Sequence, residues 1–548
     1  MMPQGKYRIM TFKEFVPDKI RFIILLLTAI IFQFTSFIYL TNLNDVVGGK
    51  AITTEDAKLI SSVSFIGMTM IFPILFRIKF RFMSRTIVLS AAAILIVANL
   101  ISIYSNNLLV LLFAAFIAGA VRMIGTFECL STIQLIITPK RDFTVFFSVV
   151  YLIVLGSIQI SGLLTAEMSD LYNWTYMPTI MITLLLVVMI VLFVLMRPIR
   201  LMKKFPLYQI DWLGLALWSL VLIIFNFVFE YGKRLDWFDS PYICIGVISG
   251  IVLLICAIQR MVGIRRPVIM PEVFRYKNLL RALVLLAFLQ IFLSTGNVVM
   301  NAYTGGILHY NIIHNSSLNW AVFVGVLLGA AYAFYWMSIY RGGYKPIFFI
   351  GFASFVLYHF ILYFIFQPAI SKEYLYLPYA LKGFGYVSLY ISIALYAAQG
   401  IPFPHFFASL SVLGFVRTAL GGTIANSLCS NVLQSLQKKN LAILSADIDF
   451  VNPTSNHVYN GVLHNALSSG QTIEQAQAAA TSALYGASNM QALLLSWKEI
   501  FGGVTLLGIL FLLAIASSHY MKPVYQQFPK MKNIWKYMWG KAYSNSRN

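Results

Sequence analysis

The sequence predicts an all-α protein that crosses a membrane about fourteen times. Three observations carry that expectation. Apolar residues fill 59% of the 548 positions, charged residues only 11%, and mean hydropathy is +0.79. Soluble domains carry roughly 25% charged residues, so no water-facing surface can be built from this composition. The apolar residues fall in continuous stretches of span length, whereas barrel strands alternate over about ten residues. Lipid demands that each backbone N–H and C=O be satisfied within the protein, and long apolar stretches meet that demand as helices.

Spans are expected at about 21–41, 57–77, 86–104, 107–127, 143–165, 175–196, 212–230, 241–259, 280–301, 317–337, 346–366, 374–397, 405–430 and 498–518. Charge tests the count. With the N-terminus inside (Lys6, Arg8, Lys13, Lys19, Arg21), every second loop should be basic. Those loops hold Arg77, Lys79, Arg81 and Arg85; Lys140 and Arg141; Arg197, Arg200, Lys203 and Lys204; Arg260 through Arg281; Arg341 and Lys345; and the tail from Lys522, while 398–404 is the one inside loop without Lys or Arg. The opposite loops are short or balanced, as in Glu167/Asp170 and Lys233/Arg234/Asp236/Asp239. A missed span would put this alternation out of step, and both termini are therefore expected in the cytoplasm.

The net charge of +21 is spread over these loops and does not form a nucleic-acid footprint. The four cysteines, Cys129, Cys244, Cys256 and Cys429, lie in or beside spans with no metal spacing, so neither disulfides nor zinc are expected. No cleavable leader is expected, because the first apolar stretch has span length and no small-residue cleavage site. The segment 431–497 is long and polar. Its Thr472–Gln475 pair has capping-box spacing, and the Ala-rich run from Ile473 to Leu484 should be helical. This segment reads as a small extracytoplasmic cap or as a docking surface for a partner.

Six spans, an extra pair and six more suggest two bundles around a central path. The parts are 1–204 (first bundle), 205–270 (extra pair), 271–430 (five helices of the second bundle), 431–497 (extracytoplasmic loop) and 498–548 (last span and tail). Local sequence sharpens this. Asp211-Trp-Leu-Gly214, then Glu230-Tyr-Gly-Lys-Arg-Leu-Asp-Trp-Phe-Asp-Ser240, resemble the seventh helix and following loop of the fourteen-helix EmrB/QacA drug:proton antiporters of the major facilitator superfamily. Lys382-Gly-Phe-Gly385 and Phe415-Val-Arg417-Thr-Ala-Leu-Gly421 are similar to that family's twelfth and thirteenth helices. Ser169-Asp-Leu-Tyr-Asn-Trp174 resembles its helix 5–6 loop, and Lys498-Glu-Ile-Phe501 the entry to its last helix. The order and spacing hold over nearly the whole chain.

The resemblance implies the major facilitator fold and a secondary transporter of the bacterial inner membrane. That transporter would export hydrophobic or amphipathic compounds against protons by alternating access, with a periplasmic adaptor protein docking on 431–497. A transporter of one specific metabolite and a transport-inactive scaffold are the competing readings. The departures bear on coupling. Phe80 stands where the family's helix 2–3 motif has aspartate, Ser161-Gly-Leu-Leu-Thr-Ala166 replaces the antiporter motif of helix 5, and Phe37 stands at the helix-1 acid position.

An ionised group in hydrocarbon costs roughly 2.5–3.5 kcal/mol on insertion scales, so those retained are functional candidates. Arg122 occupies the family's helix-4 arginine position, and Glu128 is the one carboxylate expected well inside the first bundle. These two are the proton-coupling candidates. Gln33, Gln159, Gln290, Asn297 and Asn301, with Tyr386, Tyr390 and Arg417, are the substrate-cavity candidates, against ordinary interhelical hydrogen bonding for the amides. Tyr303, Tyr332 and Trp336 are further aromatics that could pack a substrate. Lys382 reads as snorkelling near the cytoplasmic end of its span and His359 as an interhelical hydrogen-bonding group. No phosphate-binding Gly-x-x-x-x-Gly-Lys-Ser/Thr loop, metal cluster or nucleophile–base pair occurs, so neither an enzyme nor a cofactor is expected.

Overall fold

The computed structural model describes residues 11–34, 43–138, 142–171, 173–200, 210–419, 421–446 and 452–520, with Leu207 and Ile448. Among these, thirteen helices are long and apolar enough to cross a membrane, and no strand is present. The expected first span is α1, Asp18–Phe34, whose 17 residues stop where the described residues stop; the rest of 21–41 lies outside them.

The thirteen begin with α2 (Thr54–Arg81), α3 (Ser84–Tyr104), α4 (Leu108–Ile137), α5 (Phe143–Leu171) and α6 (Tyr176–Leu195). The extra pair is α7 (Trp212–Tyr231) and α8 (Pro241–Gly263). The second bundle holds α9 (Lys277–Ile307), α10 (Ile312–Ile339), α11 (Tyr344–Ile365) and α12 (Glu373–Ala398). It is completed by α13, built from Phe403–Gly414, a π-helical turn Phe415–Ala419 and Gly421–Ala446, and by α14 (Ile473–Ser517).

Every predicted span falls on one of these helices, but the last two run far beyond bilayer length. The segment expected as a loop at 431–497 is largely helical. It comprises the end of α13, a separate helix Pro453–Ser468 and the first half of α14. Thr472 and Gln475 form both halves of the expected capping box, which starts a helix of 45 residues.

Within the first bundle α4 packs on α1, α2 and α3, and α3 on α6; within the second, α12 packs on α10 and α11, and α14 on α11 and α13. Small residues set the closest crossings. A Cβ on Gly383 of α12 would sit 2.2 Å from the Val322 carbonyl oxygen of α10, so only glycine lets these backbones meet. Between bundles α5 lies along α10, and α2 meets the π turn of α13.

The inserted α7 packs against both α2 and α13. Asp211 caps its first turn by accepting from Gly214 N at 2.9 Å and also pairs with Arg260 of α8 at 2.8 Å, which explains the Asp-x-x-Gly motif. At its other end Tyr231 donates to Asp56 of α2, and Trp237 Nε1 donates to Asn431 of α13 at 3.1 Å. The extra pair is thus tied to both bundles.

Candidate functional site

The π turn of α13 builds the centre of the site. Gly421 follows it, and a Cβ there would lie 1.9 Å from the Val416 carbonyl oxygen and 3.1 Å from Gln290 Cγ. A π turn shifts the backbone ladder by one residue and frees carbonyl groups, and such turns recur at functional sites. Gln290 of α9 takes up one of them, donating through Nε2 to the Arg417 carbonyl oxygen at 2.9 Å and to the Tyr390 hydroxyl at 3.0 Å.

The Arg417 side chain leaves this turn into an aromatic surround. Its guanidinium lies 4.3 Å from the Tyr390 ring centroid and 5.2 Å from that of Tyr151, and it hydrogen-bonds Tyr386. Tyr386 and Tyr390, one turn apart on α12, meet edge to face with centroids 4.8 Å apart. Four sequence candidates, Gln290, Tyr386, Tyr390 and Arg417, therefore converge. Tyr151 of α5, a residue the sequence does not single out, brings the first bundle against the Arg417 guanidinium.

Two turns further along the same face of α12 stands Lys382, about 12 Å from the Tyr390 level at 1.5 Å per residue. Its ammonium donates to Asn297 Oδ1 of α9 at 2.7 Å. Lys382 is the tenth of the 26 residues of α12, nearer the end away from the basic loops and not at the cytoplasmic end as expected, and it points at a neighbouring helix. Asn297 is exposed and Lys382 partly so, which places the pair beside open space.

The other candidates separate. Gln33 is buried and donates to Thr126 at 2.9 Å, an interhelical bond inside the first bundle. Gln159 is partly buried, and Asn301, one turn beyond Asn297, is exposed. Tyr303 is buried and hydrogen-bonds the Gln367 carbonyl at 2.8 Å, while Trp336 bonds the Gly343 carbonyl at 3.0 Å. Tyr332 is partly buried, its ring 5.5 Å from Phe384. His359 contacts the Phe355 carbonyl of its own helix at 2.8 Å, among Phe292, Tyr358 and Phe501.

Arg122 and Glu128 share α4 but have different surroundings. Arg122 is 1% exposed; it donates to Met68 Sδ at 3.3 Å and faces the Phe65 ring at 5.8 Å. Glu128 is paired with Lys79 of α2 at 3.3 Å, both side chains buried. Lys79 also donates to Ser131 at 2.6 Å, and Glu128 Oε2 has no hydrogen-bond partner. Charge alternation alone places Lys79 in a basic loop, whereas the structure buries it. Leu75 and Phe76, four and three residues before it on the same helical face, are the signal that it turns inward.

The end of the molecule that carries the basic loops is closed by aromatic contacts between bundles. Phe407 of α13 meets Phe76 of α2 with centroids 4.6 Å apart and Phe127 of α4 at 6.3 Å. Phe406 meets Phe143 and Phe147 of α5 at 5.2 and 6.4 Å.

No protein-family model matches the chain. A stretch of 321 residues is 24% identical to the probable multidrug resistance protein EmrY of Escherichia coli (strain K12), covering 57% of this chain. The match spans 58% of that relative's length. A crystal structure of a mutant of the peptide transporter POT superposes with a TM-score of 0.55 at 14% identity, covering 93% of this chain and 98% of that one. An auto-inhibited POT family peptide transporter gives 0.51 at 15%, covering 93% and 99%. The helical architecture is that of these transporter structures, and the likeness to EmrY over part of the chain agrees with it.

Proposed function

We propose that the chain is a secondary transporter of the cytoplasmic membrane with fourteen transmembrane helices and its basic loops inside, exporting amphipathic small molecules. One observation carries this reading: Arg417 of the second bundle is packed against Tyr151 of the first, 5.2 Å from its ring, in a polar and aromatic constellation at the bundle interface. A site shared by two bundles is released when they rock apart, which is the geometry of alternating access. The aromatic closure around Phe407 on the basic end is the barrier that such rocking would open. The likeness to EmrY supports multidrug efflux, and the likeness to peptide transporters supports the fold.

Proton influx is the proposed driving force, with Glu128 as the group that gains and loses the proton. Protonation would dissolve its pairing with Lys79 and loosen α2 from α4, next to the closed aromatic end. The helices within 431–497 extend the chain beyond the bilayer on the side away from the basic loops, and they are the proposed seat of an adaptor protein. The test is growth of an efflux-deficient bacterial host on a panel of amphipathic toxicants, with wild-type protein and with Arg417→Ala. Protection by the wild type and its loss in a normally inserted Arg417→Ala protein is the expected result. Equal sensitivity with and without the wild-type protein across the panel would favour the transport-inactive scaffold.

A further inference from the structure

The charges at the heart of the molecule are unbalanced. Arg122, Lys382 and Arg417 all lie within spans, and none has a carboxylate within ion-pair distance among the described residues. The single carboxylate deep in the first bundle, Glu128, is already engaged by a fourth cation, Lys79. An unpaired buried ion costs several kcal/mol, so cations kept within spans mark the path of a substrate or ion of opposite sign.

Arg417 is the best-placed of the three to receive a ligand. Its guanidinium has five N–H donors in a planar fork that matches a carboxylate. Among the described residues its contacts are one tyrosine oxygen and two ring faces, which leave donors of that fork available. Lys382 stands on the same face of α12, beside open space, and supplies a second positive charge along the approach. Arg122 adds to the same field from the first bundle.

We infer that the site selects organic acids: amphipathic molecules whose carboxylate seats on the Arg417 fork while Tyr151, Tyr386 and Tyr390 pack the aromatic or aliphatic body. This rests on the transporter reading above and narrows it, since a cavity lined in this way repels the lipophilic cations that multidrug exporters also meet.

The test uses three probes with one naphthalene body: naphthaleneacetate, the neutral naphthaleneacetamide and naphthylmethyltrimethylammonium. Binding to the full chain in nanodiscs is measured by calorimetry, and counterflow of each probe is measured in proteoliposomes. The wild type should bind the carboxylate about tenfold more tightly than the amide, as one charge-assisted hydrogen-bonded pair provides. Arg417→Gln should erase that preference by weakening carboxylate binding, and Arg417→Lys should retain part of it, since an ammonium lacks the fork. If Arg417→Gln does not fold, Lys382→Gln serves in its place with a smaller loss confined to the carboxylate.

Tightest binding of the cation, a carboxylate preference that survives both glutamine variants, or binding of no probe would overturn the inference. Counterflow of the amide or the cation without the carboxylate would also overturn it and leave the transporter reading standing. Carboxylate binding that depends on Arg417 but moves nothing across the membrane would sink the transporter reading instead.

Discussion

Lys79 Nζ lies 3.3 Å from Glu128 Oε1, with each side chain only 2% exposed, and the pair clamps the end of α2 to α4. The aspartate expected at position 80 is a phenylalanine, buried 5.6 Å from the ring of Phe76. An acid absent from the α2–α3 turn is supplied in space by α4, and it meets the cation next to the altered position.

Breaking a buried pair strands the surviving charge and costs about 3–5 kcal/mol, whereas replacing both partners with apolar groups is often neutral. Lys79→Met and Glu128→Gln should each lower the detergent melting temperature, and Lys79→Met/Glu128→Leu should recover most of the loss. If Glu128 also carries the proton, Glu128→Gln should stop pH-gradient-driven accumulation and flatten its pH profile while non-driven exchange persists. An unchanged profile would leave the pair a brace only.

Gly421 is predicted to be intolerant of any side chain. Gly421→Ala places a methyl against the Val416 carbonyl and Gln290, so the π turn must shift and Arg417 with it. Overpacking of this kind costs about 1–3 kcal/mol. At the adjacent Gly422 the nearest atom to a new Cβ is Gln290 Oε1 at 3.7 Å, an ordinary contact. Substrate affinity measured in both variants should fall in Gly421→Ala and stay near wild type in Gly422→Ala. Equal behaviour of the two would show that the turn does not position the arginine.

Orientation is tested by labelling. On a background lacking the four native cysteines, Ser468→Cys and Lys345→Cys should react with a membrane-impermeant maleimide from opposite faces, Ser468 from outside in intact cells. Both positions are exposed. Labelling from the same face would put the span count in the second half out by one.

The helices were legible because lipid leaves the backbone few alternatives, so apolar length and loop charge carry the architecture. Thr472 and Gln475 marked a true helix start for the same local reason. The continuation of α13 and α14 past the bilayer was not legible. Polar helix beyond the membrane has no apolar signature, and Gly421–Ala446 reads as span and loop in turn. Within the site, Arg417 stood out because apolar residues surround it in sequence, and Gln290, Tyr386 and Tyr390 followed from helix position. Tyr151 did not, because it meets Arg417 only once two bundles distant in sequence are docked, and nothing distinguishes it locally from Phe146 or Phe147. Asn297 and Asn301 looked equivalent one turn apart, yet only Asn297 reaches Lys382.

Under the proposed alternating access, the contact between Phe76 and Phe407, with ring centroids 4.6 Å apart, is the gate that must open in every cycle. The most direct measurement is counterflow of the three naphthalene probes by Phe76→Cys/Phe407→Cys in proteoliposomes, on the cysteine-free background. Oxidative cross-linking should abolish counterflow of whichever probe the reduced protein moves, and reductant should restore it. Undiminished counterflow in fully cross-linked protein would contradict the account, because substrate would then be crossing without separation of the two bundles at this end.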